Sequence, residues 1–496
     1  MNILKKTIPY ISIIVLLVAE SVFITGVYKL QILPRKYFII FITALCCISF
    51  LIAFLLFFKG RKNTKGKGKV KIIVAYALSA IMVVLSGFGS FASFKFNYTL
   101  NAIASNKVTE SCIGVYVLAD DPAETIADLS DYKVGYFDQG YEDKMQEILT
   151  EIKNEIDGSF SPEEYDMVLN LVEALYKQEI KAIIVDVSYI EILKEIDTFS
   201  DFSAKTKLIR QYTVLEENEN MEEKVNDTKS VYDPFVVYLS GSDTRSNYLA
   251  KSRSDVNILA VVSFTTHQLL LINTPRDYYI PNPAGNGALD KLTHCGIYGV
   301  SCSSDALEDL YECEVSYCAQ INFPGFESLV DSIGGITVYS DVSVTAKVDK
   351  YSIKKGENFM NGDQALYYAR DRHSYASGDN ARGNHQMEII KAIVEKMLTG
   401  KMFTRYAEIL DSLEGMFNTD MSKEVMSKLI QKQIEDMSKW EIFTYAVTGT
   451  GGSNTTYSMP GFYAYVMYPN EESVQKAQGL INKVLSGEAI TQSEVG

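Results

Sequence analysis

Three long apolar segments near the N-terminus restrict most strongly how this chain can fold. Residues 8–28, 37–58 and 72–94 are nearly uninterrupted apolar sequence, and each is about the 20 residues that a helix needs to cross a bilayer. Buried core helices are the alternative, but no amphipathic segment separates the three. We therefore assign residues 1–96 to a membrane region with three spans.

The basic residues beside these segments predict their orientation. The loop after the second span carries seven of them: Lys59, Arg61, Lys62, Lys65, Lys67, Lys69 and Lys71. The loop after the first span has three, Lys29, Arg35 and Lys36. The positive-inside rule then places the N-terminus and the longer loop in the cytoplasm. Everything after the third span is expected outside the cell.

The charge of the remaining chain excludes one class of partner. The first 100 residues carry thirteen basic side chains and one acid, a net charge of +12. Since the whole chain has a net charge of −15, residues 101–496 carry −27. Electrostatic binding of nucleic acid requires a basic surface. We expect no nucleic-acid partner.

Alternating strand and helix patterns predict an α/β fold outside the membrane. Residues 97–215 form a small extracellular accessory domain, with predicted strands at 111–119, 133–137 and 181–189 and helices at 141–156 and 161–178. Residues 216–232 are a polar linker, 233–486 a larger α/β domain with a central mixed sheet flanked by helices, and 487–496 a disordered tail. The helices of the larger domain are expected at 323–333, 361–370, 382–398, 405–417, 423–437 and 470–486.

Four cysteines lie close together in the larger domain: Cys295, Cys302, Cys313 and Cys318. Outside the cell they could form two disulfides. A zinc site is the alternative, but the spacings lack paired Cys-x-x-Cys motifs. We favour disulfides or free thiols over a metal.

Charged residues of the larger domain stand at the ends of predicted buried strands. Asp243, Arg253, Asp255, Arg276 and Asp277 flank the strands 256–264 and 268–273. A second cluster comprises Arg370, Arg372, Arg382 and Gln386. Carboxylates are ligands for Mg²⁺, and guanidinium groups bind phosphate with two hydrogen bonds. The pattern indicates an anion such as a diphosphate, held together with a metal at Asp243 and Asp255.

These residues occur within a series of motifs that resembles a known family. The motifs are GSDTR, SRSDVNIL, INTPRDYYIP, KLTH, GIYG, INFPGFESLVDSIGGITV, GDQALYYARDR and the D-x-x-R-x-x-x-Q of residues 379–386. Together they are similar to the catalytic domain of the LytR-CpsA-Psr family. The membrane spans and the extra domain before it resemble the capsule-associated CpsA branch. His385 departs from the pattern, because the family often has an arginine there.

The resemblance implies a phosphotransferase that moves a glycopolymer from undecaprenyl pyrophosphate to peptidoglycan, with capsule or wall assembly proteins as further partners. It assigns Mg²⁺ or Mn²⁺ to Asp243 and Asp255. It assigns the pyrophosphate to six side chains: Arg253, Arg276, Arg370, Arg372, Arg382 and Gln386. Catalysis would fall to Asp243, Asp255, Arg276 and Asp277, with Asp243 or Asp277 as the base, and the sheet interior would hold the polyprenyl tail.

Two other functions are compatible with the same residues. One is a lipid-glycan binding protein that uses the arginines without turnover. The other is a membrane sensor or transcriptional attenuator, which the acidic charge of residues 101–496 disfavours because direct DNA binding is excluded. Turnover of a polyprenyl diphosphate distinguishes the enzyme from the binding protein.

Overall fold

The computed structural model describes most of the chain. The described residues are 2–58, 67–105, 108–138, 142–194, 196–217, 232–244, 249–340, 342–345, 352–371, 379–399, 402 and 405–496. Most of the predicted linker, together with Arg245 and Arg372, lies outside these ranges.

Three helices open the chain. They are α1 (Asn2–Leu30), α2 (Arg35–Phe57) and α3 (Lys67–Ser105). All three are long and apolar enough to cross a membrane, which confirms the three predicted N-terminal helices. The third continues beyond its predicted end at residue 94, so that its last turns reach the globular part of the chain.

A five-stranded sheet follows, with helices between its strands. Its strands are β1 (Val108–Leu118), β2 (Val134–Tyr136), β3 (Glu163–Glu164), β4 (Ala182–Asp186) and β5 (Thr206–Glu217), in the order β3-β2-β4-β1-β5. The helices are α4 (Glu142–Glu155), α5 (Val168–Tyr176), α6 (Val187–Leu193) and α7 (Phe202–Lys205). One hydrophobic core contains α4 and another contains α5 and α6. Every residue of β4 is buried, as expected for a central strand covered on both faces.

The predicted helix at 161–178 is wrong in its first half. Glu163 and Glu164 form the edge strand β3, which pairs in parallel with β2, and the helix begins only at Val168. Pairing with β2 gives these residues backbone partners that an isolated helix start could not offer. Pairing with a distant segment here overrides the local helical pattern.

The rest of the chain forms a second α/β unit. Its first elements are β6 (Phe235–Ser242), β7 (Ser254–Ser263), β8 (Gln268–Asn273), β9 (Tyr279–Asn282), β10 (Ala288–Lys291), α8 (Leu292–Cys295), α9 (Val300–Tyr311), β11 (Tyr317–Ile321), α10 (Phe323–Ser332), β12 (Ile336–Ser340), β13 (Val344–Thr345), β14 (Ser352–Ile353) and β15 (Gly356–Met360). Then come α11 (Gly362–Arg370), α12 (Asp379–Met397), α13 (Tyr406–Asp411), β16 (Phe417–Thr419), α14 (Lys423–Asp436), β17 (Glu441–Ala446), β18 (Gly449–Thr456), β19 (Met459–Pro469), α15 (Glu471–Leu485) and α16 (Gln492–Val495).

A mixed six-stranded sheet organises this unit, in the order β16-β11-β6-β7-β8-β17. β6, β7 and β8 are antiparallel neighbours, whereas β11 and β17 are parallel to β6 and β8. One face packs on α9 and α15, and the other on the apolar side of α12. The mixed α/β fold with helices on both faces of the sheet confirms the predicted fold class.

Two other predicted segments differ from the structure. The helix expected at 405–417 ends at Asp411, because Phe417–Thr419 instead pairs with β11 as an edge strand. The tail is not disordered: Ile490 and Val495 are buried in the main core, and Gln268 exchanges two hydrogen bonds with the backbone of Ile490. Two apolar residues, Ile490 and Val495, therefore anchor an otherwise polar tail in the core.

The seven cysteines, all of which lie in described parts of the chain, are free thiols. Cys295 and Cys302 hydrogen-bond to each other, and Cys302 Sγ donates to Asn282 Oδ1 at 3.3 Å. The same described residues contain no group of three or more potential ligands that could hold a metal ion.

The second unit rests on the ends of the membrane helices. Phe96 and Leu100 of α3 pack against Tyr406 and Leu410. Lys95 Nζ lies 2.8 Å from Asp411 Oδ2. This contact places the end of α3 directly beneath α13.

The packing of the tail can be tested with Ile490→Ala. Because Ile490 is almost fully buried, its truncation should lower the free energy of unfolding by about 2–5 kcal/mol. Ser493→Ala, at an exposed position of the same tail, is the matched control and should leave it unchanged. The chain's single tryptophan, Trp440, lies next to the strand that the tail contacts, so its fluorescence reports unfolding. Equal stability of both variants would contradict the packed tail.

Candidate active site

The sheet topology brings the predicted charged residues to one edge. β6 ends at Ser242, immediately before Asp243, and it pairs antiparallel with the start of β7, where Arg253 and Asp255 lie. The pairing becomes irregular between Gly241 and Ser242. β8 is antiparallel to β7, so Arg276, three residues beyond its end, returns to the same edge. Strand direction alone therefore collects these side chains.

Close approach of the backbone supports this arrangement at one glycine. A Cβ atom on Gly241 would lie 2.7 Å from the side chain of Val256 across the strand pair. At this distance the added Cβ atom and the Val256 side chain would overlap, unless the strands moved apart. Only glycine lets β6 and β7 pair tightly where Asp243 leaves the sheet.

Two ion pairs connect the acids and bases at this edge. Arg253 Nη2 donates to Asp243 Oδ2 at 2.5 Å, and Arg276 Nη1 donates to Asp255 Oδ1 at 2.7 Å. All four side chains are less than one-fifth exposed. In such surroundings an unpaired charge is costly, and each pairing offsets part of that cost.

The two aspartates differ in acidity. Burial and the neighbouring carboxylate of Asp255 raise the pKa of Asp243, and Arg253 opposes this shift only in part. Burial alone would also raise the pKa of Asp255, but Arg276, Arg382 and Arg253 bring it below its usual value. Asp255 is therefore a firmly ionised anchor. Asp243 is the carboxylate that takes up a proton more readily.

Helices α11 and α12 supply the second cluster. Arg382 and Gln386 lie one turn apart on α12, and both are buried. Gln386 Nε2 donates to the backbone oxygen of Ala369 in α11 at 3.3 Å. The guanidinium carbon of Arg370, at the end of α11, lies 4.4 Å from the ring centroid of Phe323. This stacking orients the Arg370 side chain.

These residues line one cavity of about 720 Å³. Seven of the nine predicted site residues line it: Asp243, Arg253, Asp255, Arg276, Arg370, Arg382 and Gln386. The remaining wall is mainly apolar, with Phe326, Leu329, Leu366, Ile389, Ile390 and Ile393 among its residues. The cavity thus combines a cluster of arginines and aspartates with an apolar chamber. The roles of the individual residues remain predictions.

Two predicted site residues remain, Arg372 and Asp277. Arg372 lies outside the described residues. Asp277 does not line the cavity; its Oδ1 is 3.0 Å from Lys291 Nζ and its Oδ2 is 3.7 Å from Arg276 Nε. From this position Asp277 can orient the Arg276 side chain, but it does not face a ligand in the cavity.

His385, where the resemblance had left the charge open, lies beside the cavity. Its ring stacks on Tyr368 at 4.0 Å, with an angle of 21° between the planes. Burial lowers the pKa of His385 to about 4. This side chain is therefore neutral near pH 7 and adds no positive charge to the site.

Several cavity residues escaped the sequence analysis. Gln320 and Asn322 come from the end of β11, which is parallel to β6 and reaches the same edge. Asn322 also caps α10, since its Oδ1 accepts from Gly325 N, and an Asn before Phe-Pro-Gly is a readable capping signal. Glu191 and Lys194 line the cavity from the first α/β unit. No local pattern indicates that packing.

Comparison with known proteins identifies the family. The LytR_cpsA_psr family matches residues 199–479, more than half of the chain. The chain belongs to the LytR-CpsA-Psr family. This confirms the resemblance drawn from the motifs.

Curated relatives carry an activity in their names. The polyisoprenyl-teichoic acid–peptidoglycan teichoic acid transferase TagU of Enterococcus faecalis is 32% identical over 222 residues, which cover 44% of this chain and 71% of the relative. The protein of the same name from Bacillus subtilis is 31% identical over 220 residues, 44% of this chain and 70% of the relative. Among solved structures, TagV of B. subtilis aligns at 21% identity with a TM-score of 0.44, covering 52% of this chain and 99% of its own.

The carboxylates of this LytR-CpsA-Psr protein fit a divalent cation. Asp243 and Asp255 lie close enough for the charge of one to raise the pKa of the other, a repulsion that a cation would relieve. Mg²⁺ commonly uses one or two carboxylates and completes its shell with phosphate oxygens and water. The donor set thus suits a metal that arrives with, or is completed by, a phosphorylated ligand.

The unequal acidity of the two aspartates predicts opposite effects on stability. A raised pKa means that ionised Asp243 costs stability as the pH rises above about 4, the usual value for aspartate. A lowered pKa means that ionised Asp255 stabilises the fold above that pH, and this contribution is lost as the pH falls.

At pH 7 in metal-free buffer, Asp243→Asn should therefore raise the melting temperature of the chain and Asp255→Asn should lower it. Both differences should shrink toward pH 3, where the wild-type carboxylates become protonated. Differential scanning fluorimetry across this pH range makes the measurement, with each variant serving as the other's control. Shifts of the same sign in both variants would contradict the assignment.

Proposed function

We propose that the chain is a membrane-anchored phosphotransferase that moves a glycopolymer from undecaprenyl pyrophosphate to peptidoglycan. The observation that carries the proposal is the cluster of arginines and aspartates beside an apolar cavity. Relatives named as teichoic acid transferases support it. The polymer would be a capsular polysaccharide or a teichoic-acid-like chain.

The cavity suits a ligand with an apolar tail and a doubly charged head. Arg253, Arg276 and Arg382 converge on the two aspartates, and a diphosphate would accept several of their hydrogen bonds. Ile389, Ile390 and Ile393 continue from Arg382 and Gln386 along α12. A polyprenyl chain could therefore leave the charged head along the apolar side of this helix.

The membrane helices could deliver such a lipid. Phe417 lines the cavity, and its strand β16 contacts α3. The wall of the cavity is thus connected to a helix that is long and apolar enough to cross the bilayer. A lipid anchored by its tail would have a short path from the membrane to the arginines.

Placing this site outside the cell is part of the proposal. The end of α1 and the end of α3 lie on the side of the second α/β unit, since Leu30, Phe96 and Leu100 share one cluster with Tyr406 and Leu410. The start of α2 lies there too, because Lys36 Nζ is 3.7 Å from Glu435 Oε1. The lysine-rich loop between α2 and α3 would then be cytoplasmic. The predicted acceptor, peptidoglycan, is on the outer side.

In the proposed reaction, a hydroxyl of the peptidoglycan acceptor attacks the phosphorus that carries the glycan. The bond from this phosphorus to the bridging oxygen breaks, and undecaprenyl phosphate leaves with that oxygen. Asp243 accepts the hydroxyl proton, because it lines the cavity and Asp277 does not. Arg276, Arg253 and Arg382 stabilise the charge that develops on the phosphate oxygens.

Asp243 and Asp255 would hold Mg²⁺ or Mn²⁺, which would add positive charge beside the diphosphate. Asp255 would remain ionised throughout, because Arg276 and Arg382 keep its pKa low. The reaction therefore depends on a fixed set of charges that exist before the ligand binds.

Arg276→Ala tests the site. Its loss removes a donor to the phosphate oxygens, and turnover of a lipid-linked glycan donor should fall by at least about 100-fold, as when one such donor is removed from other enzymes. Arg210→Ala is the control, because Arg210 also forms an ion pair with a carboxylate, that of Glu155, but does not line the cavity. Circular dichroism of both variants checks folding.

The variant tests the assigned site, and the wild type distinguishes an enzyme from a binding protein. Full activity in a folded Arg276→Ala variant would contradict the assigned site. Tight binding of the donor by the wild type, with divalent metal present and no turnover, would favour the lipid-glycan binding protein instead.

A further inference from the structure

The first α/β unit contributes two charged side chains to the cavity of the second. Glu191 belongs to α6, and Lys194 follows the last residue of that helix. Both line the cavity together with Asp243, Arg253 and Asp255. The first unit, which the sequence indicated only as an accessory domain, therefore contributes to the lining of the site.

Hydrophobic packing holds α6 in this position. Tyr189, Ile190 and Phe199 share one buried core with Ile297 and Met459 of the second unit. Phe199 also contacts Phe462, with ring centroids 5.9 Å apart. A shared core of this kind fixes the two units against each other. Glu191 and Lys194 are thus held at the cavity by the fold.

The order of residues along α12 shows which part of a ligand they would meet. Arg382 and Gln386 stand near the start of the helix, and Ile389, Ile390 and Ile393 follow in its next turns. The cavity therefore runs from charged to apolar along this helix. Helix α6 lies near the charged part, because it packs on Ile297. A Cβ atom on the adjacent Gly296 would lie 3.2 Å from the backbone carbonyl carbon of Arg253.

We propose that Lys194 and Glu191 bind the sugar next to the diphosphate of the lipid-linked donor. The proposal rests on the function proposed above. In a donor whose apolar tail lies along the isoleucines and whose diphosphate lies among the arginines, the next group is the first sugar. Lys194 and Glu191 are the charged residues that the first unit adds at that end.

The two side chains are chemically suited to a sugar. Lys194 Nζ lies 2.5 Å from Glu191 Oε1, and both side chains are partly exposed. Such an exposed pair contributes little to stability, so it can open at little cost. An ammonium group can donate up to three hydrogen bonds, and a carboxylate can accept hydrogen bonds from hydroxyl or amide groups. Together they match the hydroxyl and amide groups of a sugar ring.

The test compares two donors with the full-length protein in detergent. One is undecaprenyl pyrophosphate without a sugar, and the other carries a glycan. Lys194→Ala should raise KM and Kd for the glycan-linked donor by about ten-fold, which corresponds to about 1.4 kcal/mol, with little change in kcat. The Kd of the sugar-free lipid, which carries no glycan to transfer, should stay unchanged. Lys194→Arg should restore most of the affinity for the glycan-linked donor. Glu191→Gln should weaken the binding of that donor.

Lys177→Ala is the matched control. Lys177 pairs with Glu173 on α5 of the same unit, with 2.7 Å between Nζ and Oε2, but it does not line the cavity. This variant should bind both donors as the wild type does. It controls for loss of a positive charge and of an exposed ion pair.

Three outcomes would overturn the inference: no change in Lys194→Ala, an equal loss for both donors, or a change in the KM of the acceptor alone. An equal loss would mean that Lys194 acts on the diphosphate by its charge. Absence of turnover in the wild type would instead overturn the proposed function. In that case the ratio of the two Kd values still decides whether Lys194 recognises the sugar.

Discussion

The buried ion pair between Arg276 and Asp255 is the interaction on which the candidate site depends. Its 2.7 Å contact joins the exit of β8 to the entry of β7. Both side chains are mostly removed from solvent, so each charge would be strongly destabilising without the other. A diphosphate can replace part of that pairing, because its oxygens accept the same donors. The fold therefore holds these charges in place before any ligand arrives.

The same constraint explains how the rest of the chain is arranged. The aspartates and arginines must be shielded from water to act strongly, and the apolar wall of α12 and the docked helix α6 provide that shielding. Helix α3 reaches the second unit beside the strand that carries Phe417. Helix α3, the apolar chamber, the charged cluster and the first unit thus form a continuous series in which each part contacts the next.

Much of this site could be predicted from the sequence, and the reason is geometrical. Asp243, Asp255 and Arg276 stand at strand ends, and antiparallel neighbours return to the same edge. What escaped prediction depends on contacts between distant segments. The glycine-rich β18 resembles a loop until it pairs with β19. The tail needs Gln268 as its partner. Lys194 reaches the cavity because a core shared by the two units, which includes Phe199 and Phe462, positions α6.

The most direct test of the central claim is the identity of the lipid product. Purified full-length protein would be incubated with a glycan-linked undecaprenyl pyrophosphate, peptidoglycan fragments and Mg²⁺, and the lipid would be analysed by mass spectrometry. The account predicts undecaprenyl monophosphate, in step with a glycan joined to the acceptor through one phosphate. Release of undecaprenyl pyrophosphate would contradict it, because the glycan would then have been transferred without its phosphate.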